Sequence, residues 1–251
     1  MYSTLAADKI IDTLVRLEQR IGERFQGAGL ARVCAELTEI ARHTHRRSTQ
    51  IARPNLWLRG VVVILLGVGA ALLAFLGAKL WTNTKTSNDL YNTLQGVDSG
   101  FNILLLMGAS LFFLFSIEER VKRRRALKAL HELRSIIHVI DMHQLTKDPS
   151  TETSINQPTP SSPRRSLTPH ELVRYLDYCS EMLSLTAKVA VLYAQSFPDP
   201  IVTEAVNDLE RTSANLSQKI WQKINIMERA IDRAPTRPPP PRFKFKPRAR
   251  G

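Results

Sequence analysis

The chain has 251 residues and a formal net charge of +12, and 43% of its residues are hydrophobic. The apolar residues are concentrated in two blocks, Trp57 to Trp81 and Phe101 to Ile117, instead of being spread as in a globular protein. Because a bilayer requires about 20 consecutive apolar residues, the blocks predict two transmembrane helices and exclude an ordinary soluble globular fold.

Residues 1–53 precede the first block and have apolar side chains at helical spacing, which predicts an amphipathic helical hairpin. Gly27 and Gly29 indicate a tight connection near its middle, so the two helices are expected to run antiparallel. The predicted apolar stripes are Leu5, Ile10 or Ile11, Leu14, Leu17, Ile21 and Phe25 in the first helix, and Leu30, Val33, Leu37, Ile40 and Ala41 in the second. We expect these stripes to be buried against another helix.

Residues 54–117 are predicted to form a transmembrane hairpin, with spans at about 57–81 and 99–117 and an external loop at 82–97. Small residues recur every four positions in the first span, at Ala70, Ala74 and Ala78. They predict a packing face for the second span or for another subunit, although Gly and Ala are also ordinary constituents of membrane helices. Neither span has a charge near its middle, which argues against a proton relay or a voltage sensor within one subunit.

Basic residues flank the two spans on one side only, and the loop between them carries only Lys85 and Asp89. By the positive-inside rule both termini are cytoplasmic and face an anionic leaflet, for which we expect a bacterial inner (plasma) membrane. This position already explains the clusters, so we do not expect nucleic acid as a partner. The clusters are Arg42, Arg46, Arg47 and Arg53 before the first span and Arg120, Lys122, Arg123, Arg124, Arg125 and Lys128 after the second.

Residues 118–147 are predicted to continue the second span, so that one unbroken helix runs from about Ser99 to Lys147 and projects roughly 45 Å beyond the bilayer. This extension has an apolar stripe for packing and a parallel polar row beside it. The stripe consists of Leu130, Leu133, Ile137 and Ile140, and the polar row consists of His131, Arg134, His138 and Asp141. We expect this helix to be the central strut of a cytoplasmic bundle.

The polar row has two interpretations. His131, His138 and Asp141 are candidate metal ligands, but the two histidines lie two helical turns apart, about 10 Å, which is too far to share one ion without further ligands. We therefore favour a row that pairs with acidic residues of a neighbouring helix and fixes its register. A pH-sensing form of that packing remains open, and no metal or cofactor is predicted.

Residues 148–167 are rich in Ser, Thr and Pro and predict a flexible linker, after which residues 168–233 predict a second helical hairpin. Thr168 and Glu171 have the spacing of a capping box. The helix that follows carries two apolar sets, which indicates neighbours on more than one side. The segment 196–200 breaks it, and Asp199 is expected to cap a last helix that ends near Arg233.

Residues 234–251 form a basic, Pro-rich tail that is predicted to be disordered or extended. Near an anionic leaflet each basic residue would contribute about 1 kcal/mol to lipid contact, and inserted Phe side chains would add to it. A solvated tail, or binding to nucleic acid or to a Pro-recognising domain, are the alternatives. The predicted lipid-contact residues are Arg242, Phe243, Lys244, Phe245, Lys246, Arg248 and Arg250.

The sequence contains no Walker A, dinucleotide-binding, HExxH, GxSxG or kinase motif, and we predict that the protein is not an enzyme. The predicted fold is an all-α integral membrane protein with two transmembrane helices, whose cytoplasmic hairpins pack as a bundle on the long helix. The predicted function is that of a membrane-anchored, oligomerising structural or adaptor protein. Its expected partners are the lipid bilayer and further copies of the same chain, and a cytoplasmic protein is a further candidate. The alternatives are a channel or transport subunit with a pore between protomers, lined by Asn102 or Ser110, and a metal-binding or pH-sensing His/Asp helix.

Overall fold

The computed structural model describes residues 4–52, 56–84, 90–145, 147 and 167–233, and in these ranges it contains six α-helices and no strand. This confirms the predicted all-α class. Two of the helices, the third and the fourth, are long and apolar enough to cross a membrane. The helices are α1 (Ala7–Arg24), α2 (Gly29–Ala52), α3 (Leu56–Thr84), α4 (Leu90–Leu145), α5 (Pro169–Ser196) and α6 (Pro200–Arg233).

The two apolar helices pack against each other as a hairpin. Residues 82–84 still belong to α3 and residues 90–97 already belong to α4, so most of the predicted loop 82–97 is helical. The polar side chains of this segment resemble those of a loop, but it contains no Pro that would stop a helix. As a result α4 is one continuous helix of 56 residues, about 84 Å long, that starts nine residues earlier than predicted.

The first hairpin turns at Gly27, whose φ of +75° lies in the left-handed region that a glycine adopts without strain. The predicted stripes are buried at Ile10, Leu14, Leu17 and Ile21 in α1, whereas Leu5 is exposed. Phe25, at the end of α1, makes edge-to-face contacts with the rings of two tyrosines of α5, with centroid distances of 5.5 and 6.1 Å. The hairpin is therefore anchored on α5 through an aromatic cluster.

The centre of the bundle is α5, which packs against α1, α2, α4 and α6. Both of its apolar sets are buried, including Tyr175, Leu176, Met182 and Leu183. The prediction that the long helix would be central is wrong, because the extension of α4 offers one buried face and is charged on the other. That face comprises Ala126, Ala129, Leu130, Leu133, Ile136, Ile137 and Ile140, and it packs against α2, α5 and α6.

Both helices of the C-terminal hairpin begin with the predicted caps. Thr168 accepts a hydrogen bond from the Glu171 backbone N–H at 3.4 Å, while its own backbone N–H donates to the Glu171 carboxylate at 2.8 Å. Asp199 Oδ1 accepts from the backbone N–H groups of Ile201 and Val202, at 3.0 and 3.1 Å. These caps satisfy N–H groups that have no partner within the helix, and thereby fix where α5 and α6 start.

Polar contacts between neighbouring helices set their register. Arg20 of α1 pairs with Glu181 of α5 at 2.7 Å, and Arg47 of α2 pairs with Glu132 of α4 at 2.9 Å. Further hydrogen bonds join Lys223 of α6 to Gln144 of α4 at 2.9 Å and Tyr193 of α5 to Thr44 of α2 at 3.3 Å. Because a slide of one helix along another would break them, these contacts specify one arrangement of the apolar faces.

Candidate functional surfaces

The first functional surface is the apolar face that α3 and α4 present outward. In the most apolar 18-residue stretch of α3 only 6% of the residues are buried within the protein, and in the corresponding stretch of α4 none are. The core helix of a soluble protein would be mostly buried. Large apolar side chains are instead exposed around both helices, among them Trp57, Ile64, Phe75, Trp81, Phe101, Leu106, Phe112 and Phe113. Exposed surface of this extent marks contact with an apolar environment or with a partner.

A close contact between α3 and α4 is centred on Gly69. Gly69 is buried, and a Cβ atom at that position would overlap the side chain of Met107 of α4, so the absence of a side chain allows close approach there. Ala70, Ala74 and Ala78 are exposed. Whether this face packs against the second span or against another subunit stays a prediction.

A basic collar surrounds the end of the bundle next to the two apolar segments. It is formed by the last turns of α2 and by the part of α4 that follows Glu118, and the Arg47–Glu132 pair brings these segments together. Lys122 pairs with Glu118 at 2.8 Å within α4. The exposed members of the collar are Arg42, Arg46, Arg47, Arg120, Arg124, Arg125 and Lys128. The collar is therefore a continuous cationic surface at the junction of the bundle with the apolar hairpin.

At the same end, α4 is linked to the turn before α6 by an ion pair that the sequence did not reveal. The Arg123 guanidinium donates to Asp199 Oδ2 from Nε at 2.9 Å and from Nη2 at 2.6 Å. The hydrogen bond from Arg123 holds the pKa of Asp199 below its usual value, and the same bond raises the pKa of Arg123. The sequence identified Arg123 as one member of a basic cluster and Asp199 as a cap, but no periodic pattern connects the two.

The polar row lies at the surface of α4. His131, Arg134 and His138 are exposed, and Asp141 is half-buried and accepts a hydrogen bond from Gln144 of its own helix at 2.6 Å. Within the described ranges, none of the first three forms an ion pair, and no group of three or more His, Cys, Asp or Glu side chains is arranged to hold a metal ion. The ion pair between α2 and α4 is formed by Arg47 and Glu132, which lie outside this row. The role of the row in packing or sensing stays a prediction.

The opposite end of the bundle, called the distal end below, holds a half-buried histidine. His143 of α4 lies 3.4 Å from the hydroxyl of Tyr175, and its ring is so close to Gly29 that a Cβ atom there would approach within 2.7 Å. Burial, together with the nearby charge of Lys147, lowers the pKa of His143. Three helices therefore meet at this imidazole, whose surroundings favour its neutral form over its charged form.

A cleft of about 620 Å³ opens at the distal end between the start of α5 and the end of α6. The apolar part of the lining is formed by Val173, Ile224 and Ile231. Trp221 also lines the cleft, and 58% of its surface is exposed. Charged side chains complete the lining: Arg24, His170, Arg174, Asp177, Glu228 and Asp232. The distal cleft could not be predicted from the sequence, because Trp221 occupies a position outside the apolar repeat of α6.

The predicted tail residues 242–250 lie outside the described residues, and so does most of the predicted linker. Comparison of the chain with models of protein families, with curated proteins and with solved structures finds no match.

Proposed function

We propose that this is a non-enzymatic, membrane-anchored structural or adaptor protein that oligomerises and presents a cytoplasmic helical bundle. The observation that carries the proposal is the contrast between its two parts. The bundle buries its apolar side chains, whereas the α3–α4 hairpin leaves its apolar side chains exposed on almost every side. Insertion in a bilayer removes that surface from water, since exposed apolar surface is unfavourable by about 25 cal/mol per Å².

The basic collar supports the proposed orientation. It lies at the junction of the bundle with the apolar hairpin, where the Lys and Arg excess of cytoplasmic segments is expected. Trp57 and Trp81, near the two ends of α3, are exposed as interfacial tryptophans would be. On this orientation the bundle, with its α1–α2 and α5–α6 hairpins, lies in the cytoplasm.

Oligomerisation is proposed through the exposed Ala70, Ala74 and Ala78 face of α3. The internal contact between the spans uses Gly69 and Met107, so the alanine face stays available to a second copy. Without bulky side chains two such helices can approach closely, and packing between them replaces the hydrophobic effect as the driving force inside the bilayer.

The test measures the mass of the assembled protein in a mild detergent by light scattering, for the parent chain and for Ala74→Ile. Ala109→Ile is the matched control, because Ala109 is an exposed alanine of α4 and lies outside the alanine face of α3. We expect a defined oligomer that Ala74→Ile dissociates and Ala109→Ile preserves. A parent chain that is monomeric at all concentrations and that captures no partner would overturn it.

The alternative, a channel subunit with its pore between protomers, has one observation in its favour. Asn102 is exposed on the apolar part of α4 and donates a hydrogen bond to Asp98 at 3.3 Å, which forms a polar spot on an apolar helix. Ser110 instead donates to the Leu106 carbonyl at 2.7 Å. Ion flux from vesicles that contain the oligomer, lost in Asn102→Leu, would favour the channel over the adaptor.

A further inference from the structure

The distal cleft combines an exposed indole, that of Trp221, with the carboxylates of Glu228 and Asp232. We propose that its occupant is the Pro-rich segment of the same chain, Arg237 to Arg242, which would bind across Trp221 and the carboxylates beside it. This inference concerns the bundle alone and does not depend on oligomerisation.

The chemistry of the cleft fits such a segment. Extended Pro-rich segments bind in grooves lined by aromatic side chains, where an indole ring packs against the proline rings. Trp221 is the exposed aromatic residue at this cleft, and Val173 and Ile224 extend the apolar surface. A preformed extended segment loses little conformational entropy on binding, which favours it over a flexible one.

The carboxylates on the α6 side of the cleft are complementary in charge to the segment, although Arg24 on the α1 side leaves the whole lining with a net charge of only −1. Arg174 pairs with Asp177 at 3.2 Å, whereas Glu228 and Asp232 make no ion pair with any residue of the described ranges. Residues 234–251 contain six basic side chains and no acidic one, and Arg237 and Arg242 flank four consecutive prolines. A carboxylate can accept both parallel hydrogen bonds of a guanidinium, so each end of the proline run can be held.

The distances also agree. Trp221 lies 12 residues before Arg233, about 18 Å back along α6 at 1.5 Å per residue. The prolines at 238–241 follow Arg233 by five to eight residues, which corresponds to about 16–25 Å in an extended segment at 3.1 Å per residue. A segment that turns back after α6 therefore brings its prolines to Trp221. The short tether also gives the intramolecular contact an effective concentration in the millimolar range.

Lipid contact by the tail is less favoured by the geometry. Lys223 of α6 lies beside Gln144 of α4, and Gln144 is 26 residues, about 39 Å of helix, beyond Glu118 near the basic collar. The rest of α6, from Lys223 to Arg233, adds about 15 Å in the same direction. Most of the extended length of the tail would be used to return to the membrane that α3 and α4 enter.

The test uses the full chain in lipid nanodiscs, with Trp57→Phe and Trp81→Phe so that Trp221 is the only tryptophan. Acrylamide quenching of its fluorescence then reports whether the indole is covered. We expect Arg237→Glu with Arg242→Glu to raise the quenching constant and to shift the emission to longer wavelength. Arg248→Glu with Arg250→Glu, which removes equal charge farther along the tail, should leave both unchanged.

A charge exchange separates docking from a local effect on the indole. Glu228→Lys with Asp232→Lys should also raise quenching, and combining these with Arg237→Glu and Arg242→Glu should restore the protected value. Equal quenching in the parent chain and in the Arg237→Glu, Arg242→Glu variant would overturn the proposal. So would quenching in nanodiscs of anionic lipid that is as high in the parent chain as in the Arg237→Glu, Arg242→Glu variant, because it would assign the tail to the membrane.

Discussion

Arg123 and Asp199 join the long helix to the start of the last one through a single carboxylate oxygen. Asp199 Oδ2 accepts both guanidinium hydrogen bonds, at 2.6 and 2.9 Å, while Oδ1 caps α6. The side chain of Asp199 is 6% exposed and that of Arg123 is 30% exposed, so water reaches the ion pair mainly from the Arg123 side. One residue thus fixes where α6 begins and where it lies against α4, at the level of the basic collar.

Asp199→Ala removes the cap and the ion pair together. We expect the free energy of unfolding of the bundle to fall by about 1–2 kcal/mol for the cap alone, with a further loss from the unpaired Arg123. Asp199→Asn keeps a capping oxygen and should cost less. Thermal unfolding of the detergent-solubilised protein, followed by circular dichroism, compares the stability of the parent with that of the two variants. An alanine variant as stable as the parent would contradict this account.

Truncation of a side chain to alanine should lower the stability of the bundle in the apolar stripe of α4 and leave it nearly unchanged in the polar row. Ile137 is fully buried, so Ile137→Ala should destabilise the bundle by about 2–5 kcal/mol through lost contacts and a cavity. His138 is the next residue and is exposed, and His138→Ala should change stability by no more than about 0.5 kcal/mol. Denaturant unfolding measures both. A large loss in the histidine variant would show that the row has a structural partner.

Both cysteines should be protected from thiol reagents in the folded protein. Burial raises the pKa of Cys34 and of Cys179 to about 12, so almost none of either thiol is ionised at neutral pH. We expect no labelling by a maleimide under native conditions and labelling of both after denaturation, counted by mass spectrometry. Labelling of Cys179 alone in the native protein would indicate that α5 opens away from its neighbours.

Acidification should weaken the distal end through His143. Its folded pKa lies below the ordinary value of 6.5, so below that pH the unfolded chain binds a proton that the folded protein resists. Stability from this residue is therefore complete above about pH 6.5 and is lost as the pH falls toward the folded pKa. Asp199 acts in a lower window, because its contribution disappears only below its ordinary value of 3.8.

His143→Gln provides the measurement of this effect, since glutamine does not titrate. The parent chain should lose thermal stability between pH 7 and pH 5.5 and the variant should lose less. His138→Gln, at an exposed histidine of the same helix, is the matched control and should follow the parent. Identical pH profiles for the parent and His143→Gln would remove His143 as the cause.

The sequence predicted features that depend on neighbours along one helix. The stripe of Leu133 and Ile137, the capping box at Thr168 and the cap at Asp199 all arise from local spacing, and all are present. Long-range partners could not be predicted, because periodicity defines a face without defining what covers it. The position of α5 at the centre, the Arg123–Asp199 pair and the distal cleft belong to this second kind.

The continuity of α4 has a mechanical consequence. From Leu90 to Leu145 the helix has no break, so its apolar half and its bundle half behave as one lever. If the apolar half rotates about its axis or slides along it, the face formed by Leu133 and Ile137 must move with it against α2, α5 and α6. A displacement of the apolar half would thereby be transmitted to the helix packing in the bundle. The Arg123–Asp199 ion pair lies close to the point where the two halves meet.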